Sequence, residues 1–146
     1  EWFCSNRSEL ESRWLGLRKK LLDSLEDVEH CFVLGTPDES LPNTLNLGFQ
    51  GISAESLLIC LDLDGIAVSS GSACSSGAME ASHVLLAMGY SHEQAKSSLR
   101  ISMGWNTSEE DIEELSRQLI HHVKRLTPIS GKSDSNIQIP EPVTEI

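Results

Sequence analysis

Ser98–Leu126 reads SLRISMGWNTSEEDIEELSRQLIHHVKRL, and its apolar period changes part-way along. Leu99 and Ile101 alternate with Arg100 and Ser102, the two-residue period of a strand with one buried face. From Ile112 the apolar residues recur every three or four positions, through Leu115, Leu119, Val123 and Leu126, which makes one stripe along a helix. Thr107-Ser108-Glu109-Glu110 has the form of a capping box, and Lys124 and Arg125 suit the negative end of the helix dipole. A strand that hands over to an amphipathic helix predicts helices packed on a sheet.

The upstream sequence repeats that grammar. Ser8-Glu9-Leu10-Glu11 forms another capping box, followed by Leu10, Trp14, Leu17, Leu21 and Leu25 at helical spacing. Cys31–Leu34 is a short apolar run, and Leu45, Leu47 and Phe49 alternate with Asn46 and Gly48, so two strands are expected around the Pro37–Pro42 loop. Ser53 caps a helix to about Leu63 with Asp64-Gly65 as its stop, and a third strand is expected at Ile66–Val68. Ser82 caps His83–Met88, Glu93–Ser97 is a brief helical piece, and Thr127–Ile146 has the Ser, Pro and Gly composition of a flexible polar tail. The fold class is therefore α+β, with residues 1–126 as one domain carrying a small, mainly antiparallel sheet.

Composition narrows the function. With 22 acidic against 11 basic residues the net charge is −11, which argues against nucleic acid and anionic membrane as partners. No apolar run approaches the roughly 20 residues that cross a bilayer. The chain begins at Glu1 rather than methionine, as a piece of a longer protein would. Its four cysteines, Cys4, Cys31, Cys60 and Cys74, have neither zinc-site spacing nor the density of a secreted disulfide scaffold, so free thiols in a cytoplasmic setting are expected.

Between Ser69 and Gly77 the sequence is SSGSACSSG, in which every residue except Cys74 is Ser, Gly or Ala. So little apolar surface cannot offset the entropy of ordering glycine, which predicts a mobile or tightly turned loop. A thiol there is accessible, sits among hydroxyls and amides, and precedes a helix start, as a nucleophilic cysteine requires. The alternative is a chance cysteine in a loop. Cys31 and Cys60 lie in apolar contexts and read as small buried hydrophobes. Arg100 projects opposite to Leu99 and Ile101, suited either to bidentate recognition of a carboxylate or to a surface salt bridge. His83 is a candidate base with a structural reading beside it, and His121-His122 face different directions on a helix and make no metal pair.

The ordered motifs Leu41-Pro42-Asn43, Leu45-Asn46-Leu47, Glu55-Ser56-Leu57-Leu58, Ala67–Gly77, Ser82-His83-Val84-Leu85, Ser98–Gly104 and Thr107–Ile112 resemble the small C-terminal domain of the pyridoxal-phosphate-dependent cysteine desulfurases. The resemblance runs from about Arg13 to Leu126, and departs from the family at Ala81 and Trp105, where proline and arginine are usual. It implies the small domain of a fold-type-I enzyme, homodimeric when intact, in which Cys74 takes sulfur from L-cysteine as a persulfide and Arg100 grips the substrate carboxylate. L-alanine is released and the sulfur passes to an acceptor such as an iron–sulfur scaffold protein, making Cys74 also a candidate shared iron ligand. The family's Schiff-base lysine has no counterpart among Lys19, Lys20, Lys96, Lys124 and Lys132, so pyridoxal phosphate belongs to a large domain that this chain lacks. A stand-alone persulfide carrier or interaction module is the alternative.

Overall fold

A computed structural model of the protein describes residues 5–36, 40–70 and 80–127. Along the chain it holds helix α1 (Arg7–Leu25), strands β1 (Cys31–Leu34) and β2 (Thr44–Phe49), helix α2 (Ala54–Leu63) and strand β3 (Ser69–Ser70). Helices α3 (His83–Ala87) and α4 (His92–Lys96), strand β4 (Ser98–Ser102) and helix α5 (Glu109–Leu126) complete it. The strands form one sheet in the order β1-β2-β4-β3, every neighbour antiparallel. The expected α+β class, with a small antiparallel sheet, is what the chain adopts.

Alternation divides the sheet into two faces. Leu45, Leu47, Phe49, Leu99 and Ile101 point inward and are all but fully buried against the stripes of α1, α2 and α5. Each such side chain contributes about 1.5–3 kcal/mol by leaving water. Leu10, Trp14, Leu17, Leu21 and Leu25 of α1 and Ile112, Leu115, Leu119 and Val123 of α5 join this core, as their spacing requires. On the outer face a smaller cluster of Leu34, Leu85, Tyr90 and Ala95, with Phe32, Ala81 and Leu86, lies under α3 and α4. Tyr90 secures it to the strands by accepting the Gly35 N–H at 2.8 Å.

Polar contacts tie α1 to the loop before β2 and the loop after β4. Trp14 Nε1 donates to the Gly104 carbonyl at 2.9 Å, and Arg13 donates to the carbonyls of Trp105 and Thr107. Arg18, buried despite its charge, donates to Ser40 Oγ and to the Leu41 carbonyl. Among the described residues no helix is long and apolar enough to cross a membrane.

Several local expectations shift. The N-cap of α5 is Ser108, which receives the Asp111 N–H while Asp111 caps the Ser108 N–H in return. Thr107 is taken by the preceding turn, accepting the Gly104 N–H at 2.8 Å, so the box begins one residue later than the Thr107–Glu110 pattern suggests. Helix α1 begins at Arg7, ahead of Ser8. Ser91 and Gln94 form a capping box on α4 that the sequence reading passed over. The third strand falls at Ser69–Ser70 rather than Ile66–Val68, because Ile66 and Val68 spend their side chains on the inner core while the ladder to β4 is made just beyond them. The first two residues of the Ser69–Gly77 run are thereby anchored in the sheet, not in a free loop.

Candidate functional site

The outer face of β2 and β4 changes character along the strands. At one end Ser98 is 1% exposed, its hydroxyl donating to the Ala95 carbonyl, and Gly48 lies against the Phe32 ring, where a Cβ would collide with the aromatic carbons. Two residues further along β4, Arg100 is exposed, and Ser102 beyond it is exposed too. Register aligns Leu34, Asn46, Arg100 and Ser69 as one row across all four strands. The row runs from a buried leucine under α3 to a serine at the sheet edge, with Asn46 half-buried and Arg100 open between them.

Arg100 therefore stands where the alternation of Leu99 and Ile101 places it, on the face away from the core. Its guanidinium makes no hydrogen bond or ion pair among the described residues, which sets aside the surface salt-bridge reading within them. Outer-face positions of β2 and β4 are otherwise Thr44, Asn46, Gly48, Ser98 and Ser102, so Arg100 is their one charge. A guanidinium with free donors beside small polar neighbours is suited to an anion with two oxygens, such as a carboxylate.

Cys74 lies outside the described residues, as does Cys4. The chain reaches Cys74 four residues after Ser70, the end of the strand that pairs with β4 at Arg100 and Leu99. Neither Cys31 nor Cys60 is the fully buried hydrophobe expected; both are half-buried. Cys31 packs against the inner core, and burial pushes its thiol up to about 11. Cys60 lies at the α2–α5 contact, where Arg125 Nη2 approaches its sulfur at 3.0 Å, because Leu57 and Leu61 take the buried side of α2.

His83 is exposed at the first position of α3 and is not brought to Arg100 by any contact. His121 and His122 diverge as expected, yet His122 is 5% exposed and its Nε2 meets Asp64 Oδ2 at 2.6 Å. Sequence reading missed this pair, which joins the end of α2 to α5 across 58 residues; Asp64 had served only as a stop signal. No group of three or more metal-ligating side chains exists among the described residues.

Lys20 bridges Glu109 and Glu113, which hold its ammonium well above the usual lysine range, and Lys19 pairs with Asp23. Lys96 and Lys124 are exposed near the ends of α4 and α5. A groove of about 620 Å³ between α1 and α5 is lined by Ser12, Arg13, Lys20, Glu109 and Glu113, whose charges largely satisfy one another.

Residues 5–115 match the family model described as aminotransferase class-V. A cysteine desulfurase of Azotobacter chroococcum is 40% identical over 129 residues, covering 85% of this chain and 33% of the relative. The cysteine desulfurase NifS of Azotobacter vinelandii is 41% identical over 127 residues, covering 86% of this chain and 32% of its own. Among solved structures, a NifS-like protein from Rickettsia africae superposes with a TM-score of 0.70 at 30% identity, over 83% of this chain and 31% of that one. A second NifS-like structure gives 0.72 at 28% identity over 84% of this chain and 30% of the other. The chain thus spans about a third of the length of the relatives it matches.

Proposed function

Given that the chain belongs to the aminotransferase class-V family, with cysteine desulfurases as its relatives over most of its length, we propose that it is the small-domain part of a cysteine desulfurase. In this role Arg100 binds the α-carboxylate of L-cysteine, and the Cys74 thiol receives the substrate's sulfur. The balance is simple: thiol plus cysteine gives persulfide plus L-alanine, with the Cβ–S bond of the substrate broken and one S–S bond formed. Electron withdrawal from the substrate during that cleavage is chemistry that pyridoxal phosphate would supply, held on this reading by the part of the enzyme beyond the third that this chain spans.

The observation that carries the reading is the position of Arg100. Its guanidinium has no partner among the described residues, and Arg100 pairs with Ser69, five residues before Cys74 in the sequence. A carboxylate held there fixes one end of a three-carbon amino acid, and orientation of that kind lowers the barrier to attack by a nearby nucleophile. The persulfide would then pass to an acceptor protein, such as an iron–sulfur scaffold, with Cys74 as a candidate shared iron ligand, and the intact enzyme would be a cytoplasmic homodimer holding pyridoxal phosphate.

The test joins this chain to the preceding two-thirds of the Azotobacter vinelandii relative and supplies pyridoxal phosphate, L-cysteine and a reductant. Equal alanine and sulfide are expected, with a gain of one sulfur on Cys74 by intact mass when reductant is omitted. Loss of turnover by at least a thousandfold is expected in Cys74→Ser. Absence of alanine with the unsubstituted fusion, or full turnover with Cys74→Ser, sinks the proposal. Sulfur uptake by the chain alone from a second desulfurase, without alanine from the fusion, would make it a carrier instead.

A further inference from the structure

Asn46 is the cross-strand partner of Arg100. Directly opposed residues of an antiparallel pair have Cβ atoms about 4.5–5.5 Å apart on the same face. Both side chains alternate away from the buried Leu45, Leu47, Leu99 and Ile101, so carboxamide and guanidinium emerge together on the outer face. The carboxamide is half-buried between Leu34 and Arg100, and makes no hydrogen bond among the described residues. Its amide atoms reach solvent, so its donors are open to a ligand that displaces water from them.

The residue type matters. A carboxylate at this position would pair with Arg100 and cancel its charge; an amide leaves the charge whole and adds N–H donors beside it. Three or more donors from two planar groups match an anion with two coplanar oxygens. Leu34, buried at the closed end of the same row, bounds the site on that side.

We propose that Asn46 is a second positioning residue of the carboxylate site, donating its Nδ2–H to the ligand carboxylate that Arg100 binds; this rests on the reading of Arg100 given above. It selects for amino acids with a free α-carboxylate over amines of the same length.

The chain itself provides the test, with L-alanine, acetate and ethylamine as probes and nuclear magnetic resonance as the readout. The Asn46 side-chain amide and the Arg100 Nε–H resonances move on one saturating curve with L-alanine and with acetate, and ethylamine moves neither. Asn46→Ala weakens L-alanine binding about tenfold, the effect of one charge-assisted hydrogen bond. Asn46→Asp, nearly the same shape, weakens it more at neutral pH because its carboxylate occupies Arg100. An unchanged dissociation constant in a folded Asn46→Ala variant, or no saturable shift in the unsubstituted chain, overturns the proposal. The two readings fail separately: an inactive fusion removes the desulfurase function and leaves carboxylate binding standing, while an active fusion with an indifferent Asn46 removes only this inference.

Discussion

On the inner face of β2 and β4, Leu45, Leu47, Phe49, Leu99 and Ile101 are 0–4% exposed, whereas the outer face of the same strands carries Asn46, Arg100 and Ser102 toward solvent. The inner face meets three helices; among the described residues the outer face meets two helices of five residues each, which cover the Phe32, Gly48 and Ser98 row and Leu34. The contrast separates two jobs that usually compete. Stability is loaded on one side of the sheet, so polar groups on the other can remain without partners at little cost to the fold.

Phe49→Ala strikes the inner face at a fully buried ring and should cost about 3–5 kcal/mol, read as a drop in the urea midpoint. A loss below 1 kcal/mol would mean that the inner face is not where stability resides. Gly48→Ala probes the covered end of the outer face, where the new methyl overlaps the Phe32 ring. A cost of about 1–3 kcal/mol is expected, and Phe32→Leu in the same chain should recover part of it, since the two positions are coupled through one contact.

Cys31 gives the comparison a pH dependence. Burial raises its folded pKa to about 11, above the ordinary thiol value, so the folded chain keeps a proton that the unfolded chain gives up. That contribution is complete below the unfolded pKa and is lost as pH rises through the folded one. Between about pH 9 and 11 the unfolding free energy, read from the urea midpoint, should fall by of order 1 kcal/mol, discounted for partial exposure, and Cys31→Ala should remove that component. The thiol should also alkylate slowly at pH 8 in the folded chain. Smallest in stability is Arg100→Ala, within about 0.5 kcal/mol of the unsubstituted chain by the same measurement. A larger loss would show that the open end of the outer face is also structural.

Much of this was legible in the residue pattern. The stripe of α5, the alternation in β2 and β4 and the Ser53 and Ser82 caps all lie where spacing places them, because each depends on neighbours within a few residues. The errors have local causes of another kind. Thr107 and Ser108 were equally good caps until the turn at Gly104 claimed the threonine, and Ile66–Val68 looked like a strand because packed approach segments and strands use the same residues. Cys60 read as core because Leu57-Leu58-Ile59 precede it, although Ile59 is 51% exposed on the same helix. The His122–Asp64 pair had no signal at all, since its members meet only when α2 and α5 dock.

For Arg100 the division is sharpest. Alternation with Leu99 and Ile101 determined from sequence alone which face the guanidinium takes, because a strand's side-chain period is a local property of the backbone. Which groups share that face with it was decided by tertiary structure: the row Leu34, Asn46, Arg100 and Ser69 joins four segments up to 66 residues apart. Register of that kind is set by which faces must be buried together when the strands pair, and a shift of one residue would have turned Asn46 into the core.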